Sequence, residues 1–361
     1  MSEGILWPAL LPLAALALDL ACGDPTWLWH PVRALGRLAA WFEPRLRRLA
    51  ERTEPLLPNR ELGLKLAGCL GVACLAGFAG LFAFCLASLP KFGPFLALYL
   101  AYAGLAQGQL LKECRQVAAL LNESDLGRAR ASLAMLVSRE TRSLGRAALS
   151  RALAETLSEN FNDGFVAPFF FMIVGGALAP ATHWTGAAVA ALWAYKAVST
   201  LDSMWGYKTE YWRAFGWAAA RTDDLLAYAP ARLAALALLA AGGGLDATRA
   251  LWRRVQTDAS KTESPNAGWP MSAAAWVCGG RLGGPAVYFG LRKEKPWLGA
   301  EPQQSQAQSG QPHAHRETLP WESPGEWTKE RLAACLALVR RAGLVAGACL
   351  WLLGLACRFL V

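Results

Sequence analysis

Three acids recur at a spacing of four near the middle of the chain: Glu155, Glu159 and Asp163, with Asn160, Asn162 and Gly164 among them. Residues four apart share a face if one helix carries them all. Carboxylates grouped in this way suit a hard divalent cation such as Mg2+. An apolar tract follows at once, Phe165 to Thr200. It closes in a second polar run, with Tyr195, Lys196, Thr200, Asp202 and Ser203. Acids and a lysine at the rim of a bilayer are costly unless paired, hydrated or bound. Keeping several of them there points to a membrane enzyme rather than a passive anchor.

Further polar groups sit between apolar stretches. Phe215-Gly216-Trp217 leads into Arg221, the adjacent pair Asp223 and Asp224, and Arg232. Near the start, Asp19 precedes Gly23-Asp24-Pro25 and His30-Pro31-Val32-Arg33. That run reads equally as a helix stop followed by a turn. Toward the end lie Ser264-Pro265-Asn266-Ala267-Gly268-Trp269-Pro270 and Gly279-Gly280-Arg281-Leu282-Gly283-Gly284-Pro285. A glycine-rich loop around an arginine lets backbone N–H groups and a guanidinium approach a phosphate together. The same residues could form a tight turn. No Walker P-loop, dinucleotide fingerprint or serine-nucleophile elbow occurs.

The elements that must position these groups are apolar helices. Hydrophobic residues make up 54% of the 361, and charged residues only 17%, against about 25% in soluble chains. The net charge is +9. Arg33, Arg37, Arg45, Arg47, Arg48, Arg52, Arg60 and Lys65 fall in one polar segment, and Lys112 to Arg151 carries a second basic set. Such loops read as cytoplasmic by the positive-inside rule. No nucleic-acid motif accompanies the charge, so nucleic acid is not an expected partner. Most of the nine cysteines lie in apolar runs, with no Cys-x-x-Cys pair, and read as packing residues. The N-terminal run lacks a basic leader and reads as a retained segment.

The expected fold is all-α, a polytopic integral membrane helical bundle with a cytoplasmic helical segment and a Gly-rich loop region. Residues 1–111 hold the N-terminal membrane helices and a basic cytoplasmic loop. They include an apolar run from Ile5 to Ala21 and a hairpin, Leu66 to Leu89 and Phe95 to Leu111, turned at Pro90-Lys91-Phe92-Gly93-Pro94. Residues 112–164 form a cytoplasmic helical segment. Residues 165–244 hold acidic clusters on membrane or re-entrant helices, with Phe165 to Thr200 either two short spans or a re-entrant hairpin. Residues 245–294 form Gly-rich site loops, with no strong strand pattern. Residues 295–326, rich in Pro, Gln and Ser and carrying His313 and His315, read as a flexible linker. Residues 327–361 form a last membrane helix. One site requires the Ser264–Pro270 loop and Asp163 on one side of the bilayer. One segment among 165–200 and 225–241 is therefore expected not to cross.

In family order, from about residue 15 to 290, these runs resemble the CobD/CbiB family of cobalamin biosynthesis. The signatures are Gly-Asp-Pro, His-Pro-Val-Arg, Glu-Asn-x-x-Asp-Gly, Tyr-Lys-x-x-x-Thr-Leu-Asp-Ser-Met-x-Gly-Tyr, Phe-Gly-Trp with Asp-Asp and Pro-Ala-Arg-Leu, Ser-Pro-Asn-Ala-Gly-Trp-Pro, and Arg-Leu-Gly-Gly-Pro. The resemblance implies an amide-forming ligase, adenosylcobinamide-phosphate synthase. Its substrates would be the corrinoid adenosylcobyric acid and an amino-alcohol phosphate (aminopropanol or ethanolamine phosphate), with ATP as cosubstrate and Mg2+. The catalytic candidates are His30, Asp163, Lys196 and Asp202, with His30 as general base for the ammonium. Arg33, Asn160, Arg221, Asn266 and Arg281 are candidates for substrate or phosphate binding. Glu159, Asp163, Asp202, Asp223 and Asp224 are candidates for the metal. The implied setting is the inner (cytoplasmic) membrane, multi-pass, with the site on the cytoplasmic side and other late cobalamin-pathway membrane enzymes as possible partners. Two other classes remain open on the residues alone. One is a non-catalytic membrane sensor of AmpE type, and the other is a transporter.

Overall fold

The computed structural model describes residues 3–180, 183–288, 290–299 and 325–360. In chain order the first helices are α1 (Glu3–Cys22), α2 (Pro31–Thr53), α3 (Arg60–Ala87), α4 (Gly93–Gly104), α5 (Gln107–Asn122), α6 (Leu126–Ala134) and α7 (Arg146–Phe161). After a π-helical turn at Asn162–Val166 come α8 (Ala167–Ala177), α9 (Trp184–Trp205), α10 (Glu210–Arg213), α11 (Trp217–Leu226), α12 (Tyr228–Ala259) and α13 (Gly268–Cys278). Strands β1 (Leu282–Tyr288) and β2 (Leu291–Leu298) precede α14 (Lys329–Leu360). The chain divides into two compact units. One comprises Met1–Gly108, Asp163–Pro230 and Gly347–Val361; the other comprises Gln109–Asn162 and Ala231–Ala346.

Among the described residues three helices are long and apolar enough to cross a membrane: Arg60–Ala87, Tyr228–Ala259 and Lys329–Arg358. Predominance of helix follows from the same requirement, since a segment in lipid must satisfy its backbone hydrogen bonds internally. On α3, Leu66, Leu70, Phe78, Leu81 and Phe82 are exposed. An apolar face of that size on a spanning helix is accounted for by lipid. α12 bends at Gly243 and Gly244, whose φ/ψ of −168°/22° and 67°/−154° leave the helical region.

In the first unit the core joins α2, α3, α9 and α11. Leu46, Val72, Leu75, Leu201, Trp205 and Phe215 pack there, the Trp205 and Phe215 rings meeting edge to face at 5.0 Å. α8 and α9 pack against each other as a hairpin. α8 has 11 residues, about 16 Å at 1.5 Å per residue, against a hydrocarbon core of about 30 Å. The tract 165–200 therefore does not hold two full spans. The expected apolar helix Phe95 to Leu111 is also shorter than its hydropathy implied. α4 ends at Gly104, and the break at Leu105 and Ala106 is held by Ala106 N donating to Gly164 O at 2.8 Å.

In the second unit α7 buries Leu149, Leu153 and Leu157, one turn apart, and packs on α6, α13 and β1. The expected Gly-rich loops of 245–294 are instead regular structure: the end of α12, then α13, then an antiparallel hairpin with Gly284 opposite Lys295 and Tyr288 opposite Leu291. A bulge falls between Leu282 and Gly284, where glycine tolerates the required backbone. The expected linker 295–326 begins inside β2, and Gly325 bridges to Gly280. The rest of it, with His313 and His315, lies outside the described residues.

Candidate functional site

Lys196 anchors the polar surroundings in the first unit. The negative charges of Asp163 and Asp19 act on it. Its neighbour Tyr195 is buried, stacked on Phe171 with ring centroids 4.9 Å apart, and feels Asp163, Asp223 and Asp202. The α8–α9 hairpin and α11 thus bring Asp163, Lys196, Asp202, Asp223 and Asp224 into one electrostatic neighbourhood. Thr200 and Ser203 hydroxyls donate back to Lys196 O and Ser199 O, at 2.7 and 2.9 Å, and so are committed to α9. Gly206 ends that helix, with its N–H on Asp202 O at 2.7 Å. A Cβ at 206 would lie 2.0 Å from Asp202 Oδ1, so the missing side chain makes room for the carboxylate.

Asp223 carries the clearest sign of an incomplete site. Its Oδ1 is sealed from solvent without a hydrogen-bond partner among the described residues. Such an atom normally has a partner. Burial pushes the Asp223 carboxyl up to about 8, helped by the charges of Asp163, Asp202 and Asp224. Burial, with Asp224, pushes Asp202 up to about 6. Carboxylate oxygens with surplus negative charge are the donor type that Mg2+ takes. Among the described residues no three or more His, Cys, Asp or Glu form a group that could hold a metal ion by themselves.

These shifts set a pH dependence. Raised folded values mean that the protonated carboxyls contribute stability in full below the unfolded value near 4. The contribution is lost as pH rises through about 6 for Asp202 and about 8 for Asp223. In a chelator the melting temperature should fall on the order of 5 °C between pH 5 and pH 9. Stabilisation by added Mg2+ should grow over the same range, because the ion competes with those protons. Asp223→Asn should flatten both trends. Equal slopes in wild type and variant would remove Asp223 from the cation site.

His30 has a different position from the one expected of a general base. It is the N-cap of α2: Nδ1 accepts from Val32 N at 3.3 Å, while Nε2 faces Asp24 Oδ2 at 3.9 Å. Burial lowers its pKa; Asp24 opposes the shift, and Lys196 and Arg33 add to it. The neutral ring therefore has its lone pair on the capping bond. His30→Asn keeps a good cap and removes the titratable ring. Turnover within about threefold of wild type is expected. A loss beyond 100-fold in a variant of unchanged melting temperature would return proton transfer to His30.

Asp19 also has a structural bond. It is 1% exposed, and Oδ2 accepts from Gly108 N at 2.9 Å in the first turn of α5. A carboxylate there satisfies an orphan helix N–H and complements the helix dipole. Arg33 and Arg221 are exposed. Arg221 also borders an apolar cavity of about 710 Å3 walled by α3, α8, α9 and α11, with Tyr195 and Trp217 in its lining.

The remaining candidates belong to the second unit. Glu159 and Asn160 lie on α7, where Asn160 Nδ2 donates to Thr156 Oγ1 at 2.8 Å. The expected shared face of Glu155, Glu159 and Asp163 is not formed. α7 stops at Phe161, and the wider π turn that holds Asp163 breaks the four-residue period. Glu155 is spoken for: 1% exposed, it pairs with Arg139 and accepts from Gly283 N at 2.7 Å. Ser264 Oγ accepts from Asn266 N and Ala267 N, at 3.2 and 3.3 Å, so the Ser-Pro-Asn-Ala-Gly-Trp-Pro run builds the entry to α13. Asn266 is buried, with Oδ1 3.4 Å from Arg232 Nη1, and Arg232 lies over Trp269 at 4.6 Å.

Sequence reasoning missed Asp258. Its carboxylate accepts from Trp276 Nε1, Gly299 N and Lys261 Nζ, at 2.9, 2.8 and 2.6 Å, tying α12, α13 and the end of β2 together. Its one local signal is the Lys three residues on.

The family described as "CobD/Cbib protein" matches residues 12–315. A "Cobalamin biosynthesis protein CobD" from Geobacter metallireducens is 42% identical over 291 residues, covering 80% of this chain and 85% of the relative. One of the same name from Klebsiella pneumoniae is 38% identical over 79% of this chain and 85% of the relative. A "Cobalamin biosynthesis protein CbiB" from Salmonella typhimurium matches at 38%, with the same two coverages. No solved structure matches the chain significantly. With a match that takes in the His-Pro-Val-Arg cap, the acid-rich hairpin and the Arg-Leu-Gly-Gly-Pro strand, this chain belongs to the CobD/CbiB family.

Proposed function

We propose that the chain acts in cobalamin biosynthesis as adenosylcobinamide-phosphate synthase, joining adenosylcobyric acid to aminopropanol phosphate or ethanolamine phosphate through an amide bond. The observation that carries the reading is the gathering of Asp163, Asp202, Asp223 and Asp224 about Tyr195 and Lys196 in a member of this family. A carboxylate does not condense with an amine at neutral pH without activation. In the proposed sequence, a carboxylate oxygen of the corrinoid attacks the γ-phosphorus of ATP, giving an acyl phosphate and ADP. The amine nitrogen then attacks the acyl carbon, and inorganic phosphate leaves.

Mg2+ held by Asp223 with Asp163 and Asp224 would neutralise the phosphate charge. Lys196 and Arg221 would offset charge that develops on the transferring group. The ammonium must lose a proton before it attacks. Asp202, with its carboxyl near 6, is better matched to that task than an ordinary aspartate. The reading further places the chain in the inner membrane with its site on the cytoplasmic side, in keeping with the basic segments. Contact with other late pathway enzymes in the membrane remains part of the proposal.

The test is product formation. Membranes containing the chain receive adenosylcobyric acid, MgATP and either amino-alcohol phosphate, and adenosylcobinamide phosphate or its ethanolamine counterpart is sought by mass spectrometry. Product is expected. Its absence with both amino-alcohol phosphates, from a folded chain, would overturn the reading.

A further inference from the structure

Among the described residues, two guanidiniums in the second unit have no ion-pair partner and an unpaired Nε. Arg151 on α7 and Arg281, just before β1, both lie over the ring of Trp297 in β2, at 5.0 and 4.7 Å from its centroid. Less than about 10 Å therefore separates the two charges. Each has a buried Nε with no hydrogen-bond partner, and neither side chain forms an ion pair among the described residues. The nearby carboxylates do not remedy this. Glu155 acts on Arg151 electrostatically, yet it is bonded to Arg139 and Gly283. Glu159 acts on Arg139. Partly buried guanidiniums without carboxylate or carbonyl partners are unusual, because such groups lose strong charge-assisted bonds.

The hairpin holds the indole in place. Gly283 and Gly284 have φ of +91° and +76°, and a Cβ on Gly284 would lie 2.4 Å from the Trp297 ring. The ring can lie against the backbone because that side chain is absent. Trp297 is 38% exposed, so a solute can reach its edge and the two arginines.

We infer that Arg151 and Arg281, both held against Trp297, clamp a phosphate monoester dianion. Two planar donor forks match the charge and geometry of a terminal phosphate. The ester meant is the amino-alcohol phosphate, and to that extent the inference rests on the synthase reading above. The new content is the second arginine and the shared Trp297 ring that holds both guanidiniums.

The test is calorimetric titration of the full chain in lipid nanodiscs with ethanolamine phosphate, inorganic phosphate and ethanolamine. The ester should bind and ethanolamine should not. Arg151→Gln and Arg281→Gln should each weaken ester binding roughly 10- to 100-fold. Arg151→Lys, which keeps the charge without the fork, should fall between. If a Gln variant unfolds, the Lys variant and Trp297→Phe carry the comparison. Wild-type affinity in folded Gln variants would overturn the clamp, as would equal binding of ethanolamine or no binding of either phosphate. The two proposals can fail separately. Product formation with an unchanged KM for the ester in both Gln variants would sink the clamp alone. Phosphate binding lost in both Gln variants of a chain that makes no product would sink the synthase reading alone.

Discussion

Asp202→Ala is expected to abolish formation of adenosylcobinamide phosphate, with a loss of at least about 1,000-fold in kcat/KM and no loss of membrane insertion. A general base contributes roughly 10²- to 10⁴-fold, and a group that stabilises charge in the transition state roughly 10²- to 10³-fold. In the proposed mechanism Asp202 takes the first role, and it borders the acids assigned to the second. The fold should survive, because the carboxylate is half-buried and the helix-end bond to Gly206 uses the backbone carbonyl of residue 202. Asp163→Ala should be similarly inactive, since Asp163 acts on both Lys196 and Asp223. Gly206→Ala offers an independent approach. Its Cβ would crowd the Asp202 carboxylate, and the Asp202 carbonyl at 2.7 Å, without changing any acid, and an intermediate loss is expected. Full activity in both Asp variants would remove the acidic neighbourhood from catalysis.

Much of this neighbourhood was legible in the sequence. The long apolar runs gave α3, α12 and α14, and the acids at the edge of an apolar tract marked Asp163, Asp202, Asp223 and Asp224. Cost is the reason: a charge near lipid is retained only with a use, so its type and place carry information. Other features were hidden because their cause is not local. The break after Gly104 depends on a bond from Ala106 to Gly164, nearly sixty positions away. The β-hairpin arises where Gly283 and Gly284 give positive φ, which composition alone reads as loop. His30, Asp19 and Ser264 have residue types suited to chemistry, yet His30 caps α2, Asp19 accepts from an N–H in the first turn of α5, and Ser264 braces the turn before α13. Helix ends and active sites draw on the same polar side chains, and only geometry separates them. Arg151 carried no signal of its own, being one of many arginines in a basic segment.

Glu155→Ala should be the most destabilising single change in the second unit, by about 3–5 kcal/mol, the range for removing one partner of a buried ion pair. Glu155 is 1% exposed and Arg139 9%. The lost carboxylate would leave Arg139 without its hydrogen-bonded counter-charge and Gly283 N without its acceptor. The effect should reach beyond the pair. Gly283 sits at the bulge that starts the hairpin, and Trp297 packs on the adjoining Gly284. Phosphate binding should therefore fall along with stability. Glu155→Gln keeps an acceptor for Gly283 but not the charge, so a smaller loss, of about 1–3 kcal/mol, is expected. The double variant Glu155→Leu, Arg139→Met distinguishes an ion pair that stabilises from one that merely must not be broken. Exchange of a buried pair for apolar side chains is often neutral, and the double variant should be more stable than Glu155→Ala. Denaturant or thermal unfolding of the second unit measures all three. If Glu155→Ala costs less than about 1 kcal/mol, Glu155 is not holding the hairpin. The link from α7 through Gly283 to Trp297 would then have to be abandoned.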